Sequence, residues 1–405
     1  MTTFDGLWAD IAEVGRDRRT GGYRRFVLGD ADQTLREWFT GCATTRGMDV
    51  DRDHNGNLWA WWMPEGASGD PTNAFVTGSH LDSVPDGGAF DGPLGIVAAF
   101  AAIDALRGEG HRPRVPVGVV AFSDEEGARF GVACVGSQLS TGALAPARAL
   151  DLRDAEGRTL AEVAAGAGID PDRMGRDDRI ADRVGVFVEL HIEQGRALDR
   201  LGRPVAVASS IWPHGRWQLT FRGEANHAGA TLLTDRHDPM LPYAATVTAA
   251  RDRAWAHGAV ATFGKVYVAP NGANAIASAV TATLDARAPS PTVLEAMTTE
   301  LFDAATRHAD DEGTELTVTT ESLSPRVDFP DGPRDRILAA LGDLPVLPTA
   351  AGHDAGVLAT EVPTAMLFVR NPTGVSHSPQ EWAEHTDCLS GVASLTDVMR
   401  EWTAP

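Results

Sequence analysis

Three short apolar runs, each closing on charged or imidazole side chains, constrain this chain more than any other feature. "AFVTG" at 74–78 leads into His80 and Asp82, "VPVGVVAF" at 115–122 into Asp124, Glu125 and Glu126, and "VGVFVEL" at 184–190 into His191 and Glu193. Runs of this length without strict alternation suit strands buried on both faces. Alanine-rich helical stretches such as "LGIVAAFAAIDALR" at 94–107 lie between them. That alternation predicts an α/β fold with a largely parallel sheet flanked by helices. Ligands of such sheets collect at the carboxyl ends of the strands, where the loops diverge and leave a crevice. The polar residues therefore fall where a site is expected.

The rest of the chain reads differently. Residues 1–72 read as helix and loop, with "ADQTLREWFTGCATTRG" carrying apolar residues at helical spacing. From about 205 to 320, "RWQLTFRGE" and "VTATLDARA" alternate apolar and polar residues as half-buried strands do, and "YAATVTAARDRAWAHG" is helical in pattern. A length of 405 residues is too great for one ordinary domain. We expect a first domain made of residues 1–206 and 322–405, with an α+β domain at 207–321 inserted in it. The α/β pattern resumes in "DRILAALG", "LPVLPTAAGHDAGVLA" and "VPTAMLFVR".

Charge and cysteine usage exclude several classes. With 35 basic and 56 acidic residues the formal charge is -21, so a polyphosphate would be repelled, and no nucleic-acid partner is expected. The three cysteines, Cys42, Cys134 and Cys388, are far apart and outside any C-x-x-C pattern, which argues against a disulfide framework and against a thiolate zinc site. The N-terminal stretch has no apolar core of signal-peptide length, and no run of about 18 apolar residues occurs. A cytoplasmic protein with no membrane partner is the expectation.

Imidazole mixed with carboxylate suits Zn²⁺, Mn²⁺, Co²⁺ or Ni²⁺, whereas an all-oxygen set would suit Mg²⁺ or Ca²⁺. The His80-x-Asp82 spacing would let the aspartate accept the imidazole N–H and raise the basicity of a ligating ring. The adjacent pair Glu125 and Glu126 suggests two tasks, one carboxylate holding metal while its neighbour moves a proton. Read alone, "DEEG" would better suit a solvated turn.

"GSHLDSVPDGGAFDGPLG", "SDEEGARFG", "VELHIEQG", "NHAGAT", "AGHDAG" and "GVSHSPQEW" occur in this order between about residues 20 and 395. Together they resemble the successive blocks of the M20-type binuclear metallohydrolases, in the branch of allantoate amidohydrolases, N-carbamoyl-L-amino acid hydrolases and β-ureidopropionases. The resemblance implies a zinc-peptidase-like catalytic domain and two divalent ions per subunit, Mn²⁺ or Zn²⁺ first, then Co²⁺ or Ni²⁺. It implies that His80 and His191 hold one ion, Glu126 and His377 the other, and that Asp91 bridges them. Glu125 would be the general base, and Asp82 would orient His80. His385 is a rival to His377, but "GVSHSP" is the matching block.

The same resemblance makes the inserted domain a lid and dimerisation module of a homodimer, completing the neighbouring subunit's site. His227 would stabilise the oxyanion there. Arg287, helped by Asn274, would grip the carboxylate of a small-molecule substrate, with Gln194 and His353 as further contacts. Ala230, Leu232 and Leu233 stand where the family usually has threonine, proline and methionine, and Phe90 where it has tyrosine. Cleavage of a ureido C–N bond, with release of ammonia and carbon dioxide, is the expected reaction. Hydrolysis of N-formyl or N-formimidoyl amino acids is the alternative. A peptidase is disfavoured by the histidine at 191, and a catalytically silent binding protein by the survival of Glu125 and all five ligand positions.

Overall fold

The three apolar runs form the strands Ala74–His80, Val117–Phe122 and Val184–Ile192, and a fourth strand, Thr364–Val369, joins them in parallel. This is a computed structural model of the chain, and it describes residues 3–404. The side chains of all four strands are almost wholly buried. Each fully buried valine, leucine or phenylalanine contributes roughly 1.5–3 kcal/mol, which fixes these strands inside the sheet.

The sheet runs in the order Asp49–Arg52, Leu58–Trp62, Val117–Phe122, Ala74–His80, Val184–Ile192, Thr364–Val369, Val205–Ile211, and Val346–Thr349 also pairs with Val205–Ile211. Register decides the site. Gly78 is opposite Glu189, so two residues further along, His80 and His191 stand level at the carboxyl edge and on one face. The helix Pro93–Gly108 is buried nearly all round, starting with a proline in its first turn, and the C-terminal helix His385–Thr403 packs against it. The first 72 residues are not helix and loop alone, because Asp49–Arg52 and Leu58–Trp62 form an antiparallel pair. "LWAWW" is buried at four of its five positions and so lacks the alternation that marks a half-exposed strand.

The chain divides into two compact units, the first comprising residues up to Ser209 and from Phe329 onward, the second Ser210–Asp328. The second unit is a four-stranded antiparallel sheet in the order Glu315–Ser324, His214–Arg222, Ala279–Arg287, Val260–Ala269. Strand Ala279–Arg287 alternates strictly between half-buried and buried residues. Its inward side chains join Trp217, Leu219 and Phe221, together with Ala250, Met297 and Leu301 from the helices Met240–His257 and Pro291–Asp311, in a separate apolar core. This unit extends a few residues beyond position 321, because Glu315–Ser324 continues the sheet with a mostly exposed, polar sequence that carries little strand signal. Among the described residues no helix is long and apolar enough to cross a membrane.

Candidate metal centre

Two groups of metal-ligand type share Asp91. His80, Asp91 and His191 form one, and Asp91, Glu126 and His377 the other, the donor atoms of each group lying within 4.8 Å of one another. The two carboxylate oxygens of Asp91 are divided between them. Oδ1 is 3.5 Å from His80 Nε2 and 3.1 Å from His191 Nε2, while Oδ2 is 3.4 Å from His377 Nε2, which in turn is 3.5 Å from Glu126 Oε2. Ligands held about 2.0–2.1 Å from a tetrahedral ion are themselves about 3.3 Å apart, so these separations match edges of a coordination polyhedron.

Protonation of the two buried histidines is set by the backbone. His80 Nδ1 is 3.1 Å from the Asp82 carbonyl oxygen and His191 Nδ1 is 2.8 Å from the Ile192 carbonyl oxygen. A carbonyl can only accept, so both rings carry their proton on Nδ1 when neutral and aim the Nε2 lone pair at Asp91. Both Nε2 atoms are buried without a hydrogen-bond partner. A cation would satisfy them; bare carboxylate would not. Gly92 makes the approach possible: at φ 85 it carries no side chain, and a Cβ there would lie 2.5 Å from the His80 ring.

Charge tells the same way. Burial works against ionisation of Asp91, but the imidazoles of His191, His377 and His80 gathered round it hold its carboxyl well below the usual range. His80 is pushed down by burial, yet Glu125 together with Asp82 and Asp91 keeps it well above the ordinary histidine range. Glu126 is raised to about 7 by burial and by Asp91, Asp354 to about 8 by burial and by Glu189, and Glu381 to about 7 by burial and by Asp91. So many acids crowded into one buried place fit a site built for cations. His377, half exposed, is raised to about 9 by its hydrogen bond to Asp91, against burial.

Asp82 stands beside His80 and also holds the two glutamates. Its carboxylate Oδ1 stands 3.6 Å from His80 Nδ1, farther than its own carbonyl oxygen. Its two carboxylate oxygens also accept the backbone N–H groups of Glu125 (3.2 Å) and Glu126 (3.0 Å). A single side chain thus fastens both glutamates to the loop after His80. Glu125 Oε2 reaches to 3.7 Å from His80 Nε2, and its carboxyl is pushed up by burial, in spite of His80, with Asp354 and Glu126 adding to the rise.

Gln194 and His353 lie in the same place. Gln194 Nε2 donates to Asp91 Oδ2 at 2.8 Å, and the His353 ring is 4.5 Å from the His191 ring with its own Nε2 buried and unpartnered. Burial drives the His353 imidazole well below its ordinary range, with His191 adding to the effect. His385 is elsewhere, paired with Asp5 at 2.6 Å.

Three residues that sequence reasoning did not single out support the centre. Glu381 Oε1 accepts the N–H groups of both Phe90 and Asp91 at 3.0 Å, and its Oε2 accepts Ser376 Oγ–H at 3.1 Å, joining the Asp91 loop to the His377 loop. A Cβ at Gly88 would lie 2.3 Å from that Oε1, so the glycine makes room for it. Glu189 accepts Ser79 Oγ–H and the Ala355 N–H, tying the strand beneath His80 to the helix after His353. Asn371 Oδ1 gathers the N–H groups of Thr373 and Gly374, and its amide donates to Val375 O, shaping the turn that presents His377 at φ 55. A glutamate inside the apolar run "VFVEL" was the available signal for Glu189.

His227, Asn274 and Arg287 belong to the second unit. Backbone bonds from Ala228 N to Asn274 O and from Ile276 N to Asn226 O set His227 and Asn274 on adjoining strands of chain. His227 Nδ1 accepts the Gly229 and Ala230 N–H groups at 3.0 and 3.1 Å, so the neutral ring carries its proton on exposed Nε2 and can donate from there. Arg287 closes the strand Ala279–Arg287 and forks onto Asp285, with Nε at 2.8 Å and Nη2 at 3.2 Å from its two oxygens. Its guanidinium is therefore held in a fixed plane.

Buried imidazoles and carboxylates converging at the carboxyl edge of a parallel sheet define a metallohydrolase. The chain belongs to peptidase family M20/M25/M40, whose profile it matches over residues 76–401. It is 37% identical to an N-carbamoyl-L-amino acid amidohydrolase of Geobacillus stearothermophilus, across 98% of this chain and 97% of that one. It is 30% identical to an allantoate amidohydrolase of Escherichia coli strain K12, across 95% and 94%. A solved hydantoinase/carbamoylase-family amidase from Burkholderia vietnamiensis covers 100% of this chain with 98% of its own, at 30% identity and a TM-score of 0.88.

Proposed function

We propose that this protein is a metal-dependent amidohydrolase that cleaves the ureido C–N bond of an N-carbamoyl-L-amino acid or of allantoate, releasing ammonia and carbon dioxide. The observation that carries the reading is the division of Asp91, one carboxylate oxygen facing His80 and His191 and the other facing His377 beside Glu126. His80 and His191 would hold one divalent ion, Glu126 and His377 a second, with Asp91 common to both; Mn²⁺ or Zn²⁺ suits this donor set best. Such ions supply Lewis acidity, polarising the scissile carbonyl and acidifying water. The relatives named for carbamoyl amino acids and allantoate supply the substrate class.

Glu125 is the proton carrier. It is buried, its Oε2 faces His80, and a carboxyl raised by burial takes up a proton from water more readily than an exposed one. It takes a proton from the attacking water and returns it to the departing nitrogen. Asp82 holds it in place through the backbone. His227, with its Nε2–H outward, donates to the developing oxyanion, and Arg287 with Asn274 receives the substrate carboxylate. Gln194 and His353 contact the substrate at the Asp91 and His191 side.

Two copies are required, because the second unit's residues serve the partner's site. A ten-residue edge strand, Val260–Ala269, with exposed Val266 and Tyr267, supports pairing with a second copy. Three buried free cysteines suit a reducing, cytoplasmic setting. The test is ammonia release from allantoate and a panel of N-carbamoyl-L-amino acids, with N-formyl-L-glutamate and dipeptides as controls, after chelation and readdition of Mn²⁺. Turnover of the ureido acids, restored by metal, is expected. Turnover of dipeptides alone would make the protein a peptidase, and of the formyl compound alone a deformylase.

A further inference from the structure

Residues 134–136 are zipped onto the loop that carries Glu125. Cys134 N–H donates to Glu125 O at 2.7 Å, Val135 N–H to Asp124 O at 3.0 Å and Gly136 N–H to Ser123 O at 2.8 Å. Cys134 heads the helix Val135–Thr141 in the left-handed region at φ 54, uncommon for a residue other than glycine. From there its Sγ lies 3.3 Å from Glu125 Oε1. Cys42 and Cys388, in contrast, sit in the main apolar core, where a cysteine behaves as a small hydrophobe.

We propose that Cys134 is a positioning residue for Glu125: its thiol donates to one carboxylate oxygen and so turns the other, Oε2, toward His80 and the ligand cluster. The inference rests on the proton-carrying role given to Glu125 above. Before it takes a proton from water the Glu125 carboxylate is ionised and accepts only, so in that state the proton of this contact belongs to sulfur. Burial, with Glu125 adding to it, pushes the Cys134 thiol well above its ordinary range, so it remains S–H. The glutamate is then held at three points: its N–H by Asp82, its carbonyl oxygen by the Cys134 N–H, and Oε1 by the thiol. Without the thiol, the carboxylate turns about its last torsion and its two oxygens become equivalent. The oxygen that must meet the water is then no longer fixed.

Two measurements on the full-length, Mn²⁺-loaded protein test this. The infrared S–H stretching band of Cys134, isolated by subtracting the spectrum of Cys134→Ala from that of the wild type, should shift in Glu125→Gln and stay in place in Glu126→Gln. This readout needs no substrate, so it stands even if no ureido acid is turned over and the functional reading fails. In kinetics on the best N-carbamoyl-L-amino acid, Cys134→Ala should lose about tenfold in kcat with KM within about twofold, as expected for loss of one hydrogen bond that acts after binding. Cys134→Ser leaves much the same vacated volume but restores a donor, and should recover most of kcat. A band unmoved by Glu125→Gln overturns the proposal. So does an unchanged kcat in Cys134→Ala, or a serine variant as slow as the alanine one.

Discussion

Glu381→Ala takes the acceptor from two buried backbone amides at once. In the native protein Oε1 of this side chain receives the N–H groups of Phe90 and Asp91, each at 3.0 Å, and the residue is almost fully buried. A buried amide left without an acceptor costs about 1–3 kcal/mol, so the alanine variant should lose roughly 2–6 kcal/mol. For a unit of this size each kcal/mol lowers the melting temperature by about 2 °C, which places the fall at roughly 4–12 °C. Glu381→Gln is the control. Its amide oxygen can accept both N–H groups, and Ser376 can accept from its NH₂, so less than about 1 kcal/mol should be lost. Because burial holds Glu381 near its neutral form up to a pH of about 7, the glutamine is also a fair copy of its charge there. Thermal melts of the three proteins in Mn²⁺, with metal content by mass spectrometry, decide the matter. The alanine variant should melt early and lose metal, because the Asp91 loop is no longer held. If it melts within about 1 °C of the glutamine variant with full metal, Glu381 does not hold Asp91 in place.

Glu125→Gln should cut kcat by about 10²–10⁴ while leaving metal content intact; loss of metal would mean that Glu125 and Glu126 have exchanged roles. Arg287→Ala should raise KM for carboxylate substrates while leaving the melting temperature within a few degrees, and an unchanged KM would remove the anchoring role. In chelator, stability should fall as pH rises from about 5 to 8. Glu126 and Glu381, held at about 7, and Asp354, held at about 8, all lie above their unfolded values, so the stability they contribute is complete below about pH 4 and disappears through 7–8. Added Mn²⁺ relieves Glu126 directly, so the gain in melting temperature on adding metal should be larger at pH 8 than at pH 5. A gain independent of pH would contradict the reading.

Part of the site could be read along the chain because four of its residues, His80, Glu125, Glu126 and His191, follow apolar runs, whereas Asp91 and His377 stood out only through the resemblance. His80 and His191 announce themselves at strand ends, and the pair Glu125 and Glu126 follows the same signal. What escaped were acids whose work is done on backbone amides: Glu381 beneath Asp91, Glu189 between Ser79 and Ala355, and the grip of the Asp82 carboxylate on the N–H groups of Glu125 and Glu126. A backbone N–H leaves no mark in a sequence, so an acceptor for it, unlike a metal ligand, has no pattern to match.

The sequence by itself determined the alternation of buried strands with helices around the site, the excess of negative charge and the donor types, because periodicity and side-chain chemistry are local properties. Only the tertiary structure decided that Gly78 meets Glu189, so that two histidines more than a hundred residues apart stand level on one face. It also decided which nitrogen of each ring carries the proton, through the carbonyls of Asp82 and Ile192, and which oxygen of Asp91 faces which group. The physical reason is register and hydrogen-bond direction: both are set by which backbone atoms lie opposite one another after folding, and neither is a property of any one stretch of chain.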